Sequence, residues 1–304
     1  MRVKFQSEFD LKRGFMKRAT VISFVGVAVF SANVFAAAES EVSSAVKKDI
    51  ADILTEQYHS TVKDCGDEQS PAFLCSGVLM RGTRPGVDFW KLNPSSIKNK
   101  GVSFSYLRKD AKFNNTFASA NGFILYPGKM TPAESEQVSV LCSYALDANT
   151  WGRQGNYCGS PPTPEKGQSC QDFGVFTAHQ LNKAIVRRTA WGVCAFDVRP
   201  TAKKPADAFY QTLLAMPYHG NGLYYNEIIV KPWDENNPQA IPVEALFYLN
   251  GAGLINAQQD QRSYKKATGK FLPIVKVELP QGISVQHATD ALFSYEPKDQ
   301  LVEK

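Results

Sequence analysis

The 304 residues contain no Gly-x-Ser-x-Gly elbow, no His-Glu-x-x-His pair and no phosphate-loop pattern, which argues against serine hydrolases, zinc proteases and nucleoside triphosphatases. Histidine is scarce: His59, His179, His219 and His287 stand far apart, and no two cysteines form a close Cys-x-x-Cys pair. A metal site is therefore not expected, and no prosthetic group is required. Regular strand–helix–strand alternation with a glycine-rich first turn is also missing, which disfavours a doubly wound parallel sheet. Beyond the N-terminal leader, no apolar run approaches the roughly 20 residues that span a bilayer.

The leader itself is present. Met16-Lys17-Arg18 is a basic start, Val21 to Phe30 an apolar stretch, and Val34-Phe35-Ala36 a small-residue cleavage pattern. Residues 1–36 are read as a signal peptide. We favour Met16 as the true start over an extended basic region from Met1. That segment holds Arg2, Lys4, Lys12, Arg13, Lys17 and Arg18 against Glu8 and Asp10, a net +4 of the chain's +5, so about +1 remains on residues 37–304. A nearly neutral protein lacks the concentrated basic face that nucleic acid or an anionic membrane requires, so nucleic acid is not an expected partner. The expected location is the periplasm or the exterior of the cell.

All six cysteines, Cys65, Cys75, Cys142, Cys158, Cys170 and Cys194, fall after the leader. An even number in an exported chain predicts disulfides. Sequential pairing, 65 to 75, 142 to 158 and 170 to 194, closes short loops rich in Gly, Pro and Ser and is the expected connectivity among 15 possible ones.

Val42, Val46, Ile50, Ile53, Leu54 and Tyr58 recur at helical spacing and predict an amphipathic helix over 40–62. Phe73 to Met80, Val102 to Leu107 and Phe123 to Tyr126 read as strands. Thr131-Pro132-Ala133-Glu134 has the form of a helix start, while Gln137 to Leu146 fits helix or buried strand equally. Thr177-Ala178-His179-Gln180 is a capping box that opens a helix to about Arg188, and Ala206 to Met216 is a further helix. Strands are expected at Glu227 to Lys231, Val243 to Leu249 and Leu272 to Leu279, with a helix over Ala252 to Thr268. The pattern predicts one exported, disulfide-linked α+β domain over 37–304, with a mixed or mostly antiparallel sheet and flanking helices.

The block Pro71-Ala72-Phe73-Leu74-Cys75-Ser76-Gly77-Val78-Leu79-Met80-Arg81-Gly82-Thr83, followed by Ser103-Phe104-Ser105-Tyr106-Leu107-Arg108, combines apolar runs with isolated arginines and hydroxyls. Such residues suit an anionic, phosphate-bearing ligand, because a guanidinium forks onto two oxygens. With the leader and early helix, this stretch over about 40–110 resembles the halovibrin family of secreted bacterial proteins. The resemblance implies NAD glycohydrolase or ADP-ribosylating activity, with NAD as substrate rather than cofactor. Toxins of one ADP-ribosylating class use, in chain order, an arginine ending a strand, a Ser-x-Ser strand and a glutamate two residues after a polar anchor.

This chain offers Arg81, then Ser103-Phe104-Ser105, then Tyr225-Asn226-Glu227 in that order, although 21 residues between Arg81 and Ser103 is short spacing. Glu227, Ser103 and Ser105 are the catalytic candidates, and Arg81 and Arg108 the candidate phosphate ligands. Glu244 is the runner-up carboxylate and His219 a candidate base beside Glu227. Trp90, Trp151, Trp191 and Trp233 could stack nicotinamide or adenine, with at least two expected in the core. Tyr225 stands where protein-modifying toxins often carry Glu or Gln, which favours water as acceptor. The expectation is a secreted NAD glycohydrolase; the alternatives are an ADP-ribosyltransferase acting on a host or competitor protein, and a non-enzymatic binding or adhesion protein.

Overall fold

The computed structural model describes residues 50–84, 86–87, 96, 101–111, 119–125, 139–146, 169–186, 194–199, 201–216, 225–231, 242–280 and 289–301. The leader, the helix start expected at 131–134, His219 and all four tryptophans lie outside them. The described residues all belong to one unit, Val42–Lys304.

Nine strands make a single sheet: β1 (Val78–Gly82), β2 (Val102–Leu107), β3 (Asn121–Leu125), β4 (Ser139–Tyr144), β5 (Phe196–Asp197), β6 (Glu227–Lys231), β7 (Val243–Tyr248), β8 (Ile274–Glu278) and β9 (Leu292–Ser294). Their spatial order is β5-β4-β6-β2-β1-β3-β7-β8-β9. Neighbours are antiparallel except β7 and β8, which run parallel. Parallel neighbours need a crossover, and helix α4 (Gly251–Thr268) supplies it. The other helices are α1, described over 50–59, α2 (Ala178–Val186) and α3 (Pro205–Ala215). The chain is thus an α+β protein with a mostly antiparallel sheet.

Both faces of the sheet are covered, which is why β3 is buried at every position. On one face Leu79, Phe104, Tyr106, Phe123, Ile228 and Leu246 pack with Leu181 of α2, Phe209 and Leu213 of α3, and Ala257 and Tyr264 of α4. On the other, Ile50, Leu54 and Tyr58 of α1 lie on Met80, Leu107, Ile124, Ala245, Phe247 and Val275. Ile53, on the α1 stripe read from sequence, turns to solvent instead. A small third cluster, Leu141, Cys142, Tyr144, Ala195 and Ile229, covers the β4–β6 end.

The strand expected from Phe73 begins later. Ala72–Leu74 is a 3-10 turn led by Pro71, and β1 starts at Val78 after Gly77, whose φ of 68° suits glycine. A side chain at position 77 would also run into the Tyr106 ring. Residues 139–144 are a strand, which settles the helix-or-strand ambiguity at Gln137 to Leu146. The capping box at α2 forms as written, with Gln180 N–H donating to Thr177 Oγ1 at 3.2 Å and Thr177 N–H to Gln180 Oε1 at 3.1 Å.

Cys65–Cys75 and Cys170–Cys194 are disulfides. Cys142 is also disulfide-bonded, and its expected partner Cys158 lies outside the described residues. No described helix is long and apolar enough to cross a membrane.

Candidate functional site

Strand β2 is shared between two neighbours rather than flanked by both along its length. Toward β6 the ladder runs Val102 with Val230, Ser103 with Ile229 and Phe104 with Ile228, and ends. Toward β1 it runs Met80 with Ser105, Leu79 with Tyr106 and Val78 with Leu107. The first half of β2 therefore pairs with β6 and the second half with β1. Among the described residues neither neighbour pairs with the opposite half, and Ser105 stands at the changeover.

An unpaired backbone group inside a protein costs about as much as a lost hydrogen bond, and a side chain fills each opening. Beyond Met80, β1 continues beside β3, with Arg81 opposite Phe123 and Gly82 opposite Gly122. Arg81 reaches back over the gap and donates from Nη1 to the Ser103 carbonyl at 2.5 Å. Beyond Phe104, Asn226 plays the matching part toward β6. Its Nδ2 donates to the Tyr106 carbonyl at 2.8 Å, and its Oδ1 accepts from the Tyr106 N–H at 2.6 Å.

Glu227 follows Asn226 and opens β6. Continued one step past the last pair, Phe104 with Ile228, the register points it toward Ser105. From the other side Tyr144 of β4 pairs with it. Tyr144 with Glu227 across β4 and β6, and Ser105 with Met80 across β2 and β1, are two register pairs that the continued β2–β6 register sets in one row, and all four residues are buried. Glu227 is 3% exposed and Ser105 1%. The Ser105 Oγ has no hydrogen-bond partner among the described residues, an uncommon state for a buried hydroxyl.

The electrostatics tie Arg81 to the same row. Burial pushes its pKa below the usual arginine value, and the charges of Glu227 and Tyr225 act in the opposite direction. An arginine with so high an intrinsic pKa stays cationic, so a buried cation bonded to the Ser103 carbonyl lies within Coulombic reach of the buried Glu227 carboxylate. The end of β1 is held from outside the row: Thr83 N–H donates to the Asn121 carbonyl at 3.0 Å, and Asn121 Nδ2 donates to Thr83 Oγ1 at 3.1 Å and to Asp260 Oδ2 of α4 at 3.0 Å.

Four of the residues singled out in the sequence, Arg81, Ser103, Ser105 and Glu227, are brought together. Arg108 is not among them. Its Nε and Nη2 fork onto Asp110 at 2.6 and 2.7 Å, and its Nη1 donates to the Val62 carbonyl at 2.7 Å and to Ser76 Oγ at 3.0 Å. Burial is the largest single influence and opposes its charge, but the Asp110 bonds and charge together with Tyr106 leave its pKa above the usual value. Four of five guanidinium N–H groups serve the fold, joining β2 to the chain after α1.

Glu244 is apart as well. It is the extra residue of a bulge in β7, between Val243 opposite Leu125 and Ala245 opposite Ile124. β7 lies four strand spacings from β6, about 19 Å at 4.8 Å each. Its Oε2 is buried without a hydrogen-bond partner among the described residues, and burial raises its pKa to about 7.

Two residues carry roles that the sequence did not suggest, Asn226 and Tyr144. The signal for Asn226 is a polar residue directly before the apolar run Ile228-Ile229-Val230, where a plain strand would need no side-chain amide. Tyr144 could be found only by knowing which strand lies beside β6.

In comparisons with known proteins, no family model and no curated protein matches this chain.

Proposed function

We propose that this protein is an exported NAD glycohydrolase that cleaves NAD to nicotinamide and ADP-ribose. The observation that carries the reading is the buried, unpartnered Ser105 hydroxyl, which the continued β2–β6 register sets in one row with the buried Glu227 carboxylate, the Arg81 cation lying within Coulombic reach of Glu227. The halovibrin resemblance and the Arg, Ser-x-Ser, Glu chain order support it. Export rests on the leader, with the disulfides as compatible features.

Rupture of the nicotinamide–ribose bond leaves positive charge on the ribose C1 and ring oxygen, as in glycoside hydrolysis. A carboxylate held in a desolvated setting stabilises that charge more than it would in water. Glu227 supplies it and accepts a hydrogen bond from the ribose 2-hydroxyl. Ser105 offers its free hydroxyl to the same sugar, Ser103 orients the strand, and the N–H groups of Arg81 not used on Ser103 bind phosphate oxygen. Nicotinamide departs as a neutral molecule with the bonding pair, water adds to C1, and one proton is released.

Tyr225 packs beside the apolar cluster under α1. It offers no carboxylate or amide to a protein acceptor, which favours water and hence hydrolysis over transfer. The test is incubation of the disulfide-intact protein with NAD and measurement of nicotinamide. Nicotinamide formed with an equal amount of free ADP-ribose supports the proposal. Label carried onto added protein would make the chain a transferase, and NAD recovered intact would leave a binding protein.

A further inference from the structure

Resting on that reading, we infer that Asn226 is a positioning residue that sets the place of the Glu227 carboxylate by standing in for the missing end of β6. In a regular antiparallel ladder the residue opposite Tyr106 exchanges both backbone bonds with it. The register from Phe104 and Ile228 makes that residue Asn226. Here the exchange is made by the side-chain amide, at 2.8 and 2.6 Å, and β6 begins only at Glu227.

Replacing a backbone rung by a side chain moves the main chain of residue 226 away from β2 by the length of that side chain. Main-chain pairing of β2 with β6 stops at Phe104 and Ile228, while both Tyr106 backbone groups are satisfied by the Asn226 amide. Asn226 is 1% exposed, and the amide orientation is fixed, because only one assignment gives Tyr106 both an acceptor and a donor. An amide is needed, since a carboxylate has no donor for the Tyr106 carbonyl and a hydroxyl is too short to make both bonds. Asn226 therefore acts through Glu227 rather than on substrate.

Asn226→Ala and the near-isosteric Asn226→Asp, which keeps the acceptor and loses the donor, test this in the full disulfide-bonded protein. The expected result is faster hydrogen exchange at the Tyr106 amide and a fall in kcat for nicotinamide release of about tenfold to a hundredfold, with KM within about threefold, because a misplaced group costs rate. Unchanged kcat despite faster Tyr106 exchange would reduce Asn226 to a purely structural bond and overturn the inference. A raised KM with kcat preserved would also overturn it, by making Asn226 a substrate contact. Should the unmutated protein release no nicotinamide, the NAD reading falls on its own. The positioning of Glu227 is then decided by NMR. Displaced amide resonances at Glu227 and Ser105 in both variants uphold it, and unmoved ones overturn it.

Discussion

The Arg81 guanidinium donates to the Ser103 carbonyl at 2.5 Å, at the point where β1 leaves β2 and continues with β3. The bond gives Arg81 two tasks, closing the open half of β2 and presenting a cation to the row that contains Glu227. Arg81→Ala should separate from a simple binding defect by losing both. A Ser103 carbonyl without its donor predicts a stability loss of about 1–3 kcal/mol in urea titration. Loss of the phosphate contact predicts a KM for NAD raised about tenfold or more. A variant with wild-type stability would show that the Ser103 bond contributes nothing net.

Glu227→Gln keeps the shape of the side chain and removes its charge. With Glu227 buried and paired with Tyr144, the amide fits the same space, so folding should be preserved and the melting temperature little changed. Loss of charge stabilisation predicts kcat for nicotinamide release lower by about a hundredfold or more, with KM little altered. Near-full activity would remove Glu227 from the chemistry and leave the Ser105–Arg81 pair as a binding element.

Glu244 predicts a pH dependence of stability rather than of catalysis. Burial raises its pKa from the usual 4.5 to about 7 in the folded chain. Between those values the folded state holds the proton and the unfolded state releases it. Its contribution is thus fully present below about pH 4.5 and is lost as pH rises through 7. At about 1.4 kcal/mol per unit, the loss is on the order of 3 kcal/mol. Glu244→Gln should flatten that part of the profile and melt above the wild type at pH 8. Parallel profiles for the two proteins would mean that Glu244 is charged in the fold.

Local patterns were readable in the sequence where local forces decide. The alternating apolar residues of β2 and β7, the Thr177–Gln180 capping box and the short disulfide loops at Cys65–Cys75 and Cys170–Cys194 all depend on neighbours close in the chain. The late start of β1 was missed because Phe73 and Leu74 have strand character, while Pro71 and Gly77 impose a turn on them. β5 and β9, with two and three residues, are too short to show a period. The site was half legible. Arg81, Ser103, Ser105 and Glu227 stand out by type, but nothing in a linear reading places β4 beside β6, so Tyr144 stayed hidden. The same ignorance of pairing made Arg108 resemble Arg81, since both are arginines at or near the end of an apolar run, and only tertiary partners distinguish them.

That difference can be measured directly. Arg108 is 1% exposed and spends its donors on Asp110, Val62 and Ser76, whereas Arg81 has a single hydrogen bond, to Ser103, among the described residues. Lysine cannot reproduce the fork onto a carboxylate or reach three partners from one nitrogen in the same geometry. Arg108→Lys should therefore destabilise the protein by about 3 kcal/mol, within the range for breaking a buried charged network, while kcat and KM of the folded fraction stay near wild type. Arg81→Lys should do the reverse, with a smaller stability loss and a clear rise in KM. A KM effect as large at Arg108 as at Arg81 would return Arg108 to the substrate site and require its bonds to Val62 and Ser76 to open when NAD binds.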